Sequence, residues 1–194
     1  MAHKAFADGD VLTAAEVNTY LMNQAVIVCT SGTRPSSPPE GMVIYETDTD
    51  LIRVYTGSTW ALLLDATGWV AYTPTWTAFT SNPVLSNGTI AGRYKRIGTT
   101  VHYTGQIEMG STTTYGVGGW LISTPTTAAS ATLHVGSAVL LSAASSVNRI
   151  GGSTQFNVAT NLTVCAVGGV VSASVPFTWA VGDRLRWSIT YETT

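Results

Sequence analysis

Few side chains in this 194-residue chain could catalyse a reaction, and none is spaced like a catalytic pair. A hydrolytic triad needs a histidine beside a nucleophile and a carboxylate, and the second two thirds of the chain offers only His102 and His134. A glycosidase needs paired carboxylates, and the acidic residues there are Glu108, Asp183 and Glu192. Each of these residues has an ordinary structural explanation, so we predict that the protein is not an enzyme.

Sequence patterns for metal and cofactor sites are equally weak. No histidine has a histidine partner two or four residues away, and Asp48-Thr-Asp50 begins like a calcium loop but lacks its glycine and terminal glutamate. Cys29 and Cys165 match no metal or redox spacing, which favours buried thiols. We predict no metal and no cofactor. One alternative stays open: one histidine per chain could supply the ligands of a metal on a threefold axis.

Aromatic side chains suggest a different chemistry, because their apolar faces can stack on sugar rings. Tyr115 and Trp120 flank the glycine-rich run Gly116–Gly119 and are our candidate glycan contacts. Trp76 and Phe79 lie earlier in the chain and are weaker candidates. The alternative for each of these rings is a place in the core or in a subunit interface.

The elements that carry these residues are predicted to be β-strands. Apolar residues such as Val101, Tyr103 and Ile107 alternate with polar ones such as His102, and a period of two indicates a half-buried antiparallel strand. Residues 184–192 alternate in the same way, and turn signals recur roughly every ten to fifteen residues, a rhythm typical of sandwiches and jelly rolls. We predict a mainly β protein whose C-terminal domain, 81–194, is an antiparallel β-sandwich or jelly roll.

The N-terminal region has a different pattern. Thr13-Ala-Ala-Glu16 is a capping box, which predicts a short helix from Thr13 to Gln24. Its apolar stripe suits either a very short coiled-coil seam or a helix docked on an apolar surface, and so short a helix needs a partner for stability. Its predicted anchoring contacts, together with the preceding arm, are Phe6, Leu12, Val17 and Leu21.

Short β-rich runs follow the helix and predict a thin β-meander with little core of its own. They are residues 26–29, 42–47, 51–56 and 60–64, with a Pro/Ser/Gly loop over 31–41. We assign 1–65 to an anchoring arm, helix and meander that forms the trimerisation region. Residues 66–80 are predicted to be a linker.

Composition favours assembly over nucleic-acid binding or membrane insertion. Only 10% of residues are charged and the mean hydropathy is +0.22, yet no run approaches the ~18 apolar residues of a membrane span. Homo-oligomerisation is the simplest way for such a chain to hide apolar surface. Residues 1–65 carry three basic and eight acidic residues, and 66–194 carry six and three, too few of either sign to indicate nucleic acid. The N-terminus lacks a signal-peptide core, so we expect synthesis in a cytoplasm.

Two groups of motifs resemble structural proteins of tailed bacteriophages. F-x-x-G-D-V-L-T-A-A-E-V-N at 6–18, R-P-S-S-P-P-E-G-M-V-I-Y-E-T-D-T at 34–49 and Y-T-G-S-T-W at 55–60 are similar to the N-terminal region of minor tail or fibre proteins of actinobacterial phages. N-G-T-I-A-G-R-Y-K-R-I-G-T-T-V at 87–101 and S-T-T-T-Y-G-V-G-G-W-L-I-S-T-P at 111–125 resemble the C-terminal β domain of the same proteins. These motifs are structural and not catalytic.

The resemblance implies a homotrimer on the virion exterior, made in the host bacterial cytoplasm and anchored by its N-terminus. The chain is short and has no extended repeat, which favours a compact knob over a long fibre. Its expected partners are further copies of itself and the major capsid or tail proteins, so it would be a capsid decoration protein or a minor tail or short fibre protein. The alternative is a receptor-binding adhesin whose β domain binds host surface glycan.

Overall fold

The computed structural model describes residues 7–21, 25–144 and 149–194. The chain divides into two compact units, Met1–Gly68 and Trp69–Thr194, close to the predicted boundary at residue 65. Strands make up 49% of the structure and helix 3%, so the predicted mainly β class is confirmed. No helix in the described part of the chain is long and apolar enough to cross a membrane.

The N-terminal helix begins where the sequence predicts. Helix α1, Ala14–Glu16, continues as a π-helical turn over Val17–Leu21. The Thr13 hydroxyl accepts a hydrogen bond from the Glu16 amide at 3.2 Å, and the Glu16 carboxylate accepts one from the Thr13 amide at 3.0 Å. The predicted capping box is therefore confirmed. The helix end predicted at Gln24 falls outside the described residues.

A four-stranded sheet completes the N-terminal unit, in the order β1-β2-β3-β4. The strands are β1 Ile27–Cys29, β2 Val43–Glu46, β3 Leu51–Tyr55 and β4 Trp60–Asp65. The hairpins β2-β3 and β3-β4 are antiparallel, as a meander requires, but β1 pairs with β2 in parallel. Parallel pairing needs a long crossover, and the Pro/Ser/Gly loop between β1 and β2 provides it.

The C-terminal unit is one continuous hydrogen-bonded sheet, in the order β5-β7-β8-β14-β10-β11-β12-β9-β6, with β13 paired to β12. Its strands are β5 Val70–Tyr72, β6 Trp76–Ala78, β7 Thr89–Ile97, β8 Thr100–Glu108, β9 Trp120–Ser123, β10 Val135–Leu141, β11 Arg149–Val158, β12 Asn161–Ala166, β13 Gly169–Val170 and β14 Arg184–Glu192. The antiparallel β domain is confirmed. The finer sandwich or jelly-roll arrangement is not, because the strands form a single curled sheet.

The curl of this sheet follows from its connectivity. Strands β5 and β6 lie at opposite ends of the strand order, yet only residues 73–75 join them. The two edges must therefore come close together, and the Tyr72 hydroxyl on β5 lies 2.7 Å from the Ser123 hydroxyl on β9. Both edge strands fall within 66–80, so the prediction of a plain linker there is wrong. The alternating Trp, Tyr and Thr residues of this stretch form strands because each edge has a neighbour to pair with.

Aromatic and branched side chains fill the inside of the curl. Its largest fully buried members are Trp120, Trp187, Tyr103, Tyr191, Ile107, Met109, Ile122, Leu140, Leu162, Leu185 and Ile189. Gly105 lies on the inward face of β8. A larger residue would not fit there, because its Cβ would come within 2.3 Å of the Trp187 ring. The glycine thus makes room for the largest side chain of the neighbouring strand.

Candidate functional site

The predicted anchoring residues are only partly within the described structure. Leu12 is 46% exposed and its neighbour Val11 is 88% exposed, whereas Val17 is partly buried. Phe6 and the side chain of Leu21 lie outside the described part. The arm therefore presents two apolar side chains to solvent just before the capped helix.

Apolar side chains are also exposed on both edges of the small sheet. Val28 on β1 is 66% exposed and Leu63 on β4 is 54% exposed, with Val26 and Leu64 exposed beside them. Among the described residues of this unit, the buried apolar side chains are Met42 and Ile44. Its edge strands therefore expose large apolar side chains, while few of the described apolar side chains are fully buried.

A buried carboxylate takes the place of a larger apolar core. Glu46 on β2 is fully buried and accepts hydrogen bonds from Arg34 Nε at 2.5 Å, Thr49 Oγ1 at 2.8 Å and Arg53 Nε at 3.1 Å. Burial by itself favours the neutral acid, but these three donors outweigh it and lower the pKa of Glu46. A carboxylate with this set of partners is a structural cross-link between the 31–41 loop and strands β2 and β3.

The Asp48-Thr-Asp50 segment forms the turn between β2 and β3, as predicted. Asp48 accepts hydrogen bonds from the amide and hydroxyl of Ser31 at 2.8 and 2.6 Å, and these bonds lower its pKa. Asp50 accepts one from the Tyr45 hydroxyl at 2.6 Å and adopts a φ of 54°. Both carboxylates hold the turn together, and no cluster of three or more His, Cys, Asp or Glu side chains occurs among the residues described.

The glycine-rich loop places its two flanking aromatic residues against the core. Trp120 is 1% exposed, donates from Nε1 to the Tyr115 carbonyl at 3.0 Å, and packs on Trp76 and Trp179 with ring centroids 4.7 and 4.9 Å away. Tyr115 is partly buried and stacks on Trp120. The core alternative therefore holds for Trp120, which offers no ring face to a glycan. Phe79, 54% exposed, borders a groove of about 510 Å³ along the same loop.

The candidate catalytic side chains of the C-terminal unit lie in separate places. Glu108 forms a bidentate ion pair with Arg184, whose Nε and Nη2 donate to the two carboxylate oxygens at 2.9 and 3.2 Å. Asp183 is buried and accepts from the amides of Ala143 and Ala180, both at 2.7 Å, so it fixes two loops. These partners give both acids structural roles.

The histidines of this unit are also separated. His102 lies on the polar face of β8 within hydrogen-bonding distance of the Thr190 hydroxyl, at 3.0 Å. His134 packs edge-on against the rings of Phe156 and Tyr191. Neither histidine contacts an acid within the described structure, so no nucleophile–base–acid arrangement is assembled from these candidates.

The cysteines are free and partly buried, one in each unit. Burial is the main cause of a raised pKa at the Cys29 thiol, and nearby Glu46 adds to it. A raised pKa keeps a thiol protonated and unreactive near neutral pH. The two thiols predicted to be buried are thus only partly so.

A basic patch lies on the outer face of the large sheet and is not evident from the sequence alone. Arg93 on β7 and Arg186 on β14 border a shallow depression of about 330 Å³ that also includes Thr104 and Gln106 of β8. The signal was present in the alternation of β7 and β14, which puts both arginines on the polar face. Register between strands not adjacent in sequence was needed to bring them together. Comparisons of the chain with protein-family models, curated proteins and solved structures found no match.

Proposed function

We propose that the chain is an exterior structural protein of a tailed bacteriophage. In this proposal it forms a homotrimeric knob that docks by its N-terminal region on the capsid, as a decoration protein, or on the tail, as a minor tail or short fibre protein. The support for a virion role is the resemblance of the motifs at 6–18, 34–49, 55–60, 87–101 and 111–125 to such proteins. The structural roles of Glu108 and Asp183 favour a function without catalysis.

The proposed assembly rests on one observation: the small sheet has few buried apolar side chains and exposes apolar side chains on both edge strands. It buries Met42 and Ile44 while exposing Val28 and Leu63 on its opposite edges. A few short strands with so small a core are marginal alone, and a closed symmetric assembly would cover both edges in every copy. Three copies around one axis would do so without leaving a free edge.

Sedimentation of the full chain at micromolar concentration tests the trimer directly. We expect a single trimeric species, and we expect the double variant Val28→Ser/Leu63→Ser to dissociate at the same concentration. The matched control is Val167→Ser, which changes a valine that is also exposed but lies in the C-terminal unit. A monomeric wild-type protein would reject the trimer.

Deletion of residues 1–25 tests the anchor. We expect the shortened protein to remain folded, because the C-terminal unit has its own core, but to be lost from particles assembled in infected cells. Immunogold labelling of wild-type virions then separates the two locations. Gold spread over the head indicates a decoration protein, and gold at the tail tip indicates a tail protein. Particles that still incorporate the shortened chain would place the anchor elsewhere.

A second candidate function, adhesion to host surface glycan, is favoured by the outer face of the large sheet. This face carries the Arg93–Arg186 patch amid small polar residues and includes an exposed Trp69 ring near Arg93. Direct binding of glycan by the purified full chain tests it. An exterior knob could serve both functions, since docking would use the N-terminal unit and adhesion the C-terminal one.

A further inference from the structure

The outer face of four neighbouring strands forms a trough. Cross-strand pairing on β7, β8, β14 and β10 aligns one row of outward-facing residues, Arg93, Thr104, Ser188 and Ser137. The next row is Ala91, Gln106, Arg186 and Val139. Two depressions of about 330 and 370 Å³ share Thr104 and Arg186 and so run together. With strands about 4.8 Å apart, the trough is roughly 14 Å long.

The two arginines of the trough are held in place without a carboxylate. Arg186 donates from Nε to Gln106 Oε1 at 2.6 Å, and the Arg93 guanidinium lies 5.1 Å from the centroid of the Trp69 ring. Neither forms an ion pair with an acid in the described part of the chain, whereas Arg184 on the same face is neutralised by Glu108. Two positioned positive charges therefore lack protein counter-charges.

The remaining lining of the trough suits a hydroxylated ligand. The hydroxyls of Ser137 and Ser188 are exposed on adjoining strands, and Thr104 Oγ1 donates to the Trp187 carbonyl at 2.9 Å while its lone pairs remain available as acceptors. The planar guanidinium fork matches a carboxylate in two parallel hydrogen bonds. The exposed Trp69 ring beside Arg93 adds an apolar face.

We propose that this trough binds a saccharide that carries carboxylate groups. Its acid groups meet Arg93 and Arg186, its ring hydroxyls meet the serine and threonine side chains between them, and one sugar ring lies against Trp69. An acidic protein segment would match the arginines but would make less use of the hydroxyl row. This inference rests on adhesion, the second function proposed above, and does not depend on whether the protein sits on a capsid or a tail.

Titration calorimetry of the full chain with a galacturonic acid hexamer tests the site. We expect binding that weakens with added salt, and about a tenfold or larger loss of affinity in Arg93→Gln and in Arg186→Gln, as for hydrogen bonds to charged groups. The control is Arg96→Gln on the same strand. Arg96 pairs in register with Val101 and donates to the Gly98 carbonyl at 2.8 Å, away from the trough, so its loss should leave the affinity unchanged.

The possible failures have different meanings. Binding of neither the acidic hexamer nor maltohexaose by the wild-type protein would reject adhesion and the trough together. If the wild-type protein binds either hexamer and the affinity is the same in Arg93→Gln and Arg186→Gln, adhesion stands but the trough is not its site. Tighter binding of a polyglutamate peptide than of the galacturonate hexamer would assign the trough to an acidic protein partner and overturn the saccharide.

Discussion

The two units of this chain are stabilised by different interactions. The N-terminal sheet has a fully buried Glu46 at the end of β2, held by Arg34 and Arg53, and little fully buried apolar core. The C-terminal sheet curls around a continuous core of tryptophan, tyrosine and aliphatic side chains. Burial of apolar area is the main source of folding free energy. The second unit therefore has the core to fold by itself, while the first relies on polar cross-links and leaves apolar side chains exposed on both edge strands.

The largest effect that separates the units should come from Glu46→Ala. Removing the carboxylate deletes its hydrogen bonds from Arg34, Thr49 and Arg53 and should cost about 1.5 to 3 kcal/mol, because both arginines are partly exposed and stay solvated. We expect the N-terminal unit to become sensitive to limited proteolysis and the proposed trimer to dissociate, while the thermal transition of the C-terminal unit stays in place. Glu40→Ala, which removes an exposed glutamate of the same unit, is the control. An unchanged digestion pattern in Glu46→Ala would contradict the view that the hydrogen bonds of Glu46 stabilise the N-terminal unit.

A complementary change should affect only the C-terminal unit. Gly105→Ala puts a Cβ within 2.3 Å of Trp187, and overpacking of this kind typically costs about 1 to 3 kcal/mol. Gly151→Ala on β11 is the matched control, because a Cβ there has no atom within 4 Å. Chemical denaturation followed by tryptophan fluorescence measures the difference. Equal midpoints for the two variants would show that the Trp187 contact does not limit stability.

The stability of the two units should also depend on pH in different ways. Glu46 and Asp48 have lowered pKa values in the folded N-terminal unit. Their stabilisation is therefore complete above the unfolded carboxyl pKa values of about 4 and is lost as pH falls through the lower folded values. Burial raises the pKa values of Tyr103 and Tyr191 in the C-terminal unit, so that unit loses stability as pH rises above about 10, where unfolded tyrosine ionises. Circular dichroism should show acid unfolding first in the N-terminal unit, whereas alkaline pH should weaken both units, because Cys29 and Tyr45 of the N-terminal unit also have raised pKa values.

The smallest predicted effect concerns the helix cap. Thr13→Ala removes the hydroxyl that accepts from the Glu16 amide and should destabilise the helix by about 1 kcal/mol. Faster amide hydrogen exchange over residues 14–21 is the expected readout, with Thr13→Ser as the control that keeps the hydroxyl. Equal exchange in the alanine and serine variants would mean that the helix is stabilised by its contacts and not by its cap.

Local patterns in the sequence predicted the local features of the fold. The Thr13–Glu16 capping box, the alternation of β8 and β14, and the Asp48–Asp50 turn each depend on residues close together in the chain, and each is present. The strands within 66–80 and the parallel pairing of β1 were not predicted, because both depend on partners far away in sequence. Local alternation cannot identify which distant edge a short strand will join.

The candidate site was likewise predictable only where it depends on residues close together in the sequence. The glycine-rich run beside Trp120 suggests a glycan contact, but the ring is buried against Trp76 and Trp179, which come from distant parts of the chain. Arg93 and Arg186 were overlooked because each is an ordinary polar-face residue in its own strand. Only the strand order β7-β8-β14 puts them on opposite sides of β8.

The position of β14 in the strand order has a consequence for biosynthesis. β14 lies in the middle of the large sheet, between β8 and β10, yet it is synthesised after every other strand of that sheet. Until residues 184–192 are available, no strand ladder joins β8 to β10, and each of these strands keeps an unpaired edge where β14 will insert. Unpaired edges are templates for aggregation. Nascent chains stalled before residue 184 should therefore depend most on chaperones, and premature termination there should yield insoluble product instead of a smaller folded domain.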